Sequence, residues 1–251
     1  MRIIRYQSQT GEAHTGWVLD DKIGLIHGDI FNQFQRGEAI IPLSSVKLLP
    51  PVIPGKIICV GRNYAAHAEE HGANVPEIPL IFFKPPSSII GTGDSIVIPP
   101  QSKQIEHEAE LVVVIGKRGR WIDSDHVFDH ILGFTIANDV TARDLQQSDY
   151  QWTRAKGFDT FCPLGPWVET EFDPADAMIT CSVNGNMRQM ASTRDMVFTI
   201  RQLIAFTSSV MTLEPGDLLL TGTPSGVGRI EPGDEIEISV DGIGTLKNNV
   251  E

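Results

Sequence analysis

Residues 104–116, QIEHEAELVVVIG, place carboxylates at every second position: Glu106, Glu108 and Glu110. Successive side chains of an extended strand point to opposite faces, so the acids share one face, with His107 and Ala109 on the other. The segment runs into LVVVIG, which reads as a strand buried on both faces and draws at least Glu110 inward. An unpaired buried carboxylate is costly, and like charges beside it add to the cost. Basic side chains, protonation or a metal ion would compensate. Oxygen-only ligands favour a hard cation such as Mg²⁺, Mn²⁺ or Ca²⁺ over zinc. An exposed edge strand whose charges block aggregation is the other reading, and the stretch alone leaves both open.

Further segments carry chemistry. GFTIANDVTARDLQQ reads as a strand ending at Asp139, then a helix with Thr141 as N-cap and Asp144 three residues on, a capping-box pattern. Asp139 then falls in the strand-to-helix link, as a site carboxylate or an ordinary turn residue, and Arg143 and Gln146 share one helix face. In CVGRNYAAHAEEHG an Ala-rich helical turn is bracketed by Asn63 and Gly72. His67 and Glu70, three apart, can meet there, and a carboxylate beside an imidazole raises its basicity as a general base requires. A plain surface pair has the same spacing. His67 and His71 at i and i+4 have zinc spacing, but the rest of a zinc-protease motif is missing. Lys156, in RAKGFDTFCPLGPW, is expected to be partly desolvated, as a catalytic lysine or as partner to an acid. LLLTGTPSGVG lacks the Gly-Lys-Ser/Thr ending of a nucleotide loop, so no nucleotide is expected there.

The elements that must position these residues are mostly strands. KIICVG, LIFFK, SIVIP, ELVVVIG, GFTIAND, MITCSVNG, DLLLTG, EIEISVDG and TLKNNV recur between Gly and Pro punctuation. Glu-Pro-Gly-Asp at 214–217 and again at 231–234 is turn chemistry. One amphipathic helix is expected from about Asp195 to Leu213. LPPVIPGK, residues 49–56, breaks any regular element and sets a boundary near residue 53. The expectation is a mainly β fold with few helices (α+β), divided into a small β-rich N-terminal domain, 1–52, and a larger domain, 53–251.

Composition narrows the partners. Of 251 residues 41% are hydrophobic, enough for a real core, and 20 Lys and Arg against 32 Asp and Glu give a net charge of −12. Nucleic acid and anionic membranes are disfavoured by that charge. Cys59, Cys162 and Cys181 stand far apart, with neither a disulfide framework nor a thiolate zinc site. The opening MRIIRYQSQTGEAHTG lacks the apolar core of a signal peptide, so an unprocessed cytoplasmic chain is expected.

In order along the chain, GRNYAAHAEE, FFKPPSS, HEAELVVVIG, NDVTARDLQ, AKGFDTFCPLGPW and TGTPSGVG resemble the fumarylacetoacetate hydrolase family, over residues 55–250. The resemblance implies a mixed β-sandwich roll that dimerises, with Mg²⁺ or Mn²⁺ held by residues matching Glu108, Glu110 and Asp139, and Glu106 outside the ligand set. It implies that His67 and Glu70 activate a water or move a proton. Arg143, Gln146, Lys156 and Thr223 match positions that bind the substrate's carboxylate and oxygens, and Lys84 a lysine near the pocket. The KGFDTF and GPW surroundings of Lys156 resemble the bacterial 2-hydroxyhepta-2,4-diene-1,7-dioate isomerase and decarboxylase branch. Acylpyruvate hydrolase or oxaloacetate decarboxylase is the alternative within the family. A non-catalytic cation-binding module and a metal-free Schiff-base lyase resting on Lys156 are readings from other classes.

Overall fold

The computed structural model describes residues 1–70 and 72–251. A 12-stranded mixed sheet forms its backbone. Its path runs from Phe34–Pro42 through Lys22–Gly28, Ala13–Leu19 and Arg2–Gln7 to Cys162–Glu169, then Ile131–Asn138, Ala109–Ile115, Leu218–Leu220, Ile57–Gly61 and Leu80–Lys84. A 5-stranded sheet, from Asn186–Ser192 through Met178–Val183, Glu235–Val240 and Gly244–Val250 to Ser95–Ile96, packs against it. A 3-stranded sheet joins Thr141–Ala142, Ile105–His107 and Gly228–Arg229. The mainly β architecture expected from the sequence is the one observed.

The strand Ala109–Ile115 is buried along its whole length. Leu111, Val113 and Ile115 enter the core beneath the 5-stranded sheet, with Ile179, Cys181, Ile236 and Ile238. Val112 and Val114 enter a second core with Ile57, Cys59, Leu218 and Leu220. An apolar run that alternates between two cores needs no polar face, which is why LVVVI is continuous. The N-terminal strands extend the same sheet: Arg2 and Ile3 pair with Glu169 and Val168, and the Met1 amine donates to Glu169 Oε1 at 2.7 Å.

Two local expectations are corrected. The helix placed at 195–213 is shorter, Ile200–Val210, and Thr199 and Gln202 form its capping box. The chain before it is extended at Met196, which bridges to Tyr64, and at Thr199, and Asn63 binds the residues between, its carbonyl accepting the Val197 N–H at 2.8 Å and its Oδ1 the Phe198 N–H at 2.7 Å. Thr141 is not an N-cap. Residues 141 and 142 stay extended to pair with Glu106 and Ile105, so the helix Arg143–Ser148 begins after Ala142, without a side-chain cap. Asp144 turns instead to Ser102 and the Lys103 N–H. Among the described residues no helix is long and apolar enough to cross a membrane.

Candidate active site

Strand register builds the acidic centre. In the ladder between Ala109–Ile115 and Ile131–Asn138, Glu110 lies opposite Ala137 and Ala109 opposite Asn138. At its end the Asp139 N–H donates to the Glu108 carbonyl at 2.8 Å, and the Glu108 N–H donates to Asn138 Oδ1 at 2.9 Å. Two segments some thirty residues apart in sequence are thereby locked, and Glu108, Glu110 and Asp139 each offer an oxygen within 4.8 Å of the others, all three buried. The strand expected through Glu106, Glu108 and Glu110 is interrupted at Glu108, and Ile105–His107 belongs to a different sheet from Ala109–Ile115.

Cations surround these acids. Lys156 Nζ donates to Glu108 Oε2 at 2.8 Å and Asp139 Oδ2 at 2.7 Å, and Lys84 Nζ to Asp139 Oδ1 at 2.7 Å. Arg143 donates through Nε to Glu106 Oε2 at 2.7 Å, through one terminal nitrogen to Glu108 Oε1 at 2.6 Å and through the other to Gln146 Oε1 at 2.5 Å. The Thr141 hydroxyl also donates to Glu108 Oε1. Lys156 is buried to 2% exposure, deeper than its sequence implied, with its ammonium 5.1 Å from the Phe82 ring centroid.

Glu110 differs from its neighbours. Its carboxylate accepts the Gly222 N–H at 2.8 Å and has no lysine or arginine partner among the described residues. Burial, with the charges of Asp139 and Glu108, pushes its pKa well up. Burial acts the same way on Glu108, but Lys156 and Arg143 outweigh it and hold that carboxyl well below the usual range. Burial also opposes the Lys156 ammonium, and Asp139 and Glu108 overcome it and keep the lysine charged.

A cavity of about 310 Å³ opens onto this cluster, its wall including His67, Glu108, Glu110, Asp139, Arg143 and Lys156. Gln146, Thr223, Phe82, Trp152 and Arg62 also line it. His67 Nδ1 lies 3.3 Å from Glu70 Oε2, and Glu70 accepts the Gly226 N–H, tying the helix Ala65–Glu70 to the loop after Leu220. The Thr223 hydroxyl donates to the Ala109 carbonyl and accepts from Gln189 Nε2. Lys84 lies behind Asp139, at 1% exposure. His71 lies outside the described residues. The Arg62, Phe82 and Trp152 lining was not read from sequence, nor was Gln189, an isolated glutamine in a strand with no motif around it.

The donor set fits a divalent cation. Its ligands are carboxylate oxygens, and the buried cluster holds four carboxylates, Glu106, Glu108, Glu110 and Asp139, against three cations, Lys84, Arg143 and Lys156. Glu110 is therefore the carboxyl left without a cation among the described residues, and Glu108 Oε2, both Asp139 oxygens and Glu110 Oε2 each accept one hydrogen bond and keep a second lone pair.

Residues 56–251 match the family described as fumarylacetoacetate (FAA) hydrolase C-terminal, and residues 1–51 match Rv2993c-like, N-terminal. The chain belongs to the fumarylacetoacetate hydrolase family. It is 47% identical over 223 residues to the mitochondrial oxaloacetate tautomerase Fahd2a of Rattus norvegicus, covering 84% of this chain and 71% of that protein. The crystal structure of 2-hydroxyhepta-2,4-diene-1,7-dioate isomerase from Mycobacterium marinum superposes with a TM-score of 0.91 at 42% identity, covering 100% of this chain and 98% of that one. Maleylpyruvate hydrolase from Sphingobium sp. SYK-6, solved with manganese(II) and pyruvate, superposes with a TM-score of 0.83 at 32% identity, covering 100% and 98%. Enzymes of this family thus include isomerases, tautomerases and hydrolases, and a manganese complex is known among them.

Proposed function

We propose that this family member is a divalent-metal-dependent isomerase of a small 2-oxo or 2-hydroxy-enoic dicarboxylic acid, of the 2-hydroxyhepta-2,4-diene-1,7-dioate type, in which proton relocation or decarboxylation proceeds through an enolate. The observation that carries the proposal is the convergence of Glu108, Glu110 and Asp139 in the cavity that also contains His67. Bound there by those acids, Mg²⁺ or Mn²⁺ supplies Lewis-acid polarisation of the 2-oxo group.

The protein's own groups do the rest. Arg143 fixes Gln146 Oε1, which leaves the Gln146 amide N–H groups to donate to a substrate carboxylate. Lys156 uses two of its three N–H donors on Glu108 and Asp139, leaving one for an oxygen that gains charge as the enolate forms. With Nδ1 turned to Glu70, His67 moves the proton through Nε2. If the same pair delivers water, the outcome is C–C hydrolysis. Thr223 binds substrate only through a remaining lone pair, since its hydroxyl hydrogen is used by Ala109. The similarity to oxaloacetate tautomerase favours a second reading, enol–keto exchange of oxaloacetate, which needs the same groups. A cytoplasmic homodimer is part of the proposal, tested by light scattering on the purified chain.

A substrate panel with Mg²⁺ tests the reading by absorbance and product NMR: a 2-hydroxydienedioate, enol-oxaloacetate and an acylpyruvate. Proton relocation or CO₂ release, lost on EDTA treatment and restored by Mg²⁺ or Mn²⁺, supports it. Full activity in chelator, or borohydride trapping of substrate on Lys156, overturns it in favour of Schiff-base chemistry.

A further inference from the structure

An exposed arginine is by default a solvated surface charge. Arg62 differs in its position, its conformation and its lack of a partner among the described residues. It is exposed, yet it belongs to the wall of the cavity that contains the acidic cluster. Its backbone lies at φ 57°, a left-handed conformation unfavourable for a long side chain and one that collects at functional sites. The next residue holds it there: Asn63, fully buried, donates to the Phe198 and Thr221 carbonyls and accepts the Phe198 N–H.

Charge pairing separates Arg62 from the other lysine and arginine of that wall. Arg143 is committed to Glu106 and Glu108, and Lys156 to Glu108 and Asp139. Arg62 makes no side-chain hydrogen bond or ion pair with any described residue. A dianion entering a cavity lined by Glu108, Glu110 and Asp139, in a chain of net charge −12, is repelled unless its far charge meets an uncommitted cation. Guanidinium suits that task because its planar fork matches both oxygens of a carboxylate. The cavity, about 310 Å³, suits a substrate of few carbons engaged at both ends.

We propose that Arg62 is a specificity-determining residue that reads a distal carboxylate, so that the site takes 2-oxo dicarboxylic acids in preference to monocarboxylic acids of the same length. The inference rests on the 2-oxo acid reading above and adds the residue that selects within that class.

Calorimetric titration of the Mg²⁺-saturated protein tests it, using oxaloacetate, 2-oxoglutarate and 2-oxoadipate, each against its methyl-terminated counterpart 2-oxobutanoate, 2-oxopentanoate or 2-oxohexanoate. The wild type is expected to prefer at least one diacid, and Arg62→Gln to cut that preference by roughly tenfold to a hundredfold while leaving the monoacid affinity unchanged. Arg62→Asn, which removes the charge but tolerates the left-handed backbone, is expected to behave the same way and guards against a folding defect. An unchanged preference in both variants, an equal loss for diacid and monoacid in both, or no wild-type preference overturns the role of Arg62 and leaves the 2-oxo acid reading standing. Failure of every compound to bind the wild type overturns that reading, and this inference with it.

Discussion

Glu108 and Asp139 share one ammonium group: Lys156 Nζ donates to Glu108 Oε2 at 2.8 Å and to Asp139 Oδ2 at 2.7 Å, with all three side chains buried. The lysine lets two carboxylates approach without bulk water to screen them. Removing one partner of a buried ion pair leaves an uncompensated charge, at a cost of about 3–5 kcal/mol. Lys156→Met is therefore expected to lower the Tm sharply, and Mg²⁺ or Mn²⁺ to restore more of it than the metal adds to wild type, because the ion replaces the lost positive charge. Thermal melts with and without metal check this. A metal-induced shift no larger than that of wild type contradicts it.

Glu110 predicts the opposite pattern. Among the described residues it is the acid of the triad without a lysine or arginine partner, and burial beside two carboxylates raises its pKa. Glu110→Gln keeps the shape of the neutral acid and is expected to change metal-free stability by no more than about 1 kcal/mol. Metal affinity should nevertheless fall below detection, and activity with it, since one anionic ligand of three is gone. Glu110→Ala should lose both as well. Urea denaturation paired with Mn²⁺ titration separates the two effects, and unchanged Mn²⁺ affinity would remove Glu110 from the ligand set.

His67 stands apart from the three acids in the proposed chemistry. His67→Ala is expected to leave Mn²⁺ affinity within a factor of about two and to slow turnover by roughly 10²–10⁴-fold, the usual contribution of general acid–base catalysis. Glu70→Gln, which keeps a hydrogen-bond acceptor for His67 Nδ1 but removes the charge, should cost less than His67→Ala. Steady-state kinetics on a substrate identified from the panel, with metal titration alongside, decides this. A fully active His67→Ala enzyme would remove the proposed proton carrier.

Where local pattern and tertiary contact agreed, the sequence was legible. The apolar run after Glu110 reports a strand buried on both faces, and the structure buries it throughout. The spacing of His67 and Glu70 predicts a meeting on one helix face, and they meet at 3.3 Å. Contacts distant in sequence were not legible. Nothing around Thr141 shows that residues 141 and 142 must stay extended to pair with Ile105 and Glu106, so the capping-box pattern misplaces its role. The residues enclosing the cavity come from segments far apart in the chain: Phe82 lies in FFKPPSS, which gives no sign that its ring lines the cavity, and Trp152 lies outside every segment that carried the resemblance.

Asn63 is the clearest such case, because from sequence it only brackets a helix. In the fold it is fully buried and joins three segments: its amide donates to Phe198 O at 3.1 Å and Thr221 O at 2.8 Å, and its Oδ1 accepts the Phe198 N–H at 2.7 Å. Those bonds fix the chain shortly before His67 against the strand end that leads to Thr223. Asn63→Ala strands two carbonyls and one N–H, and the expected loss is about 2–4 kcal/mol of stability. Because the clamp also holds the backbone that carries His67, turnover should fall at temperatures where the variant is still folded, with Mn²⁺ affinity kept. Urea denaturation, Mn²⁺ titration and kinetics below the variant's melting range test this together. Lost stability with unchanged turnover would confine Asn63 to the fold, whereas the expected combination makes it the residue through which packing sets the position of the proton-transfer group.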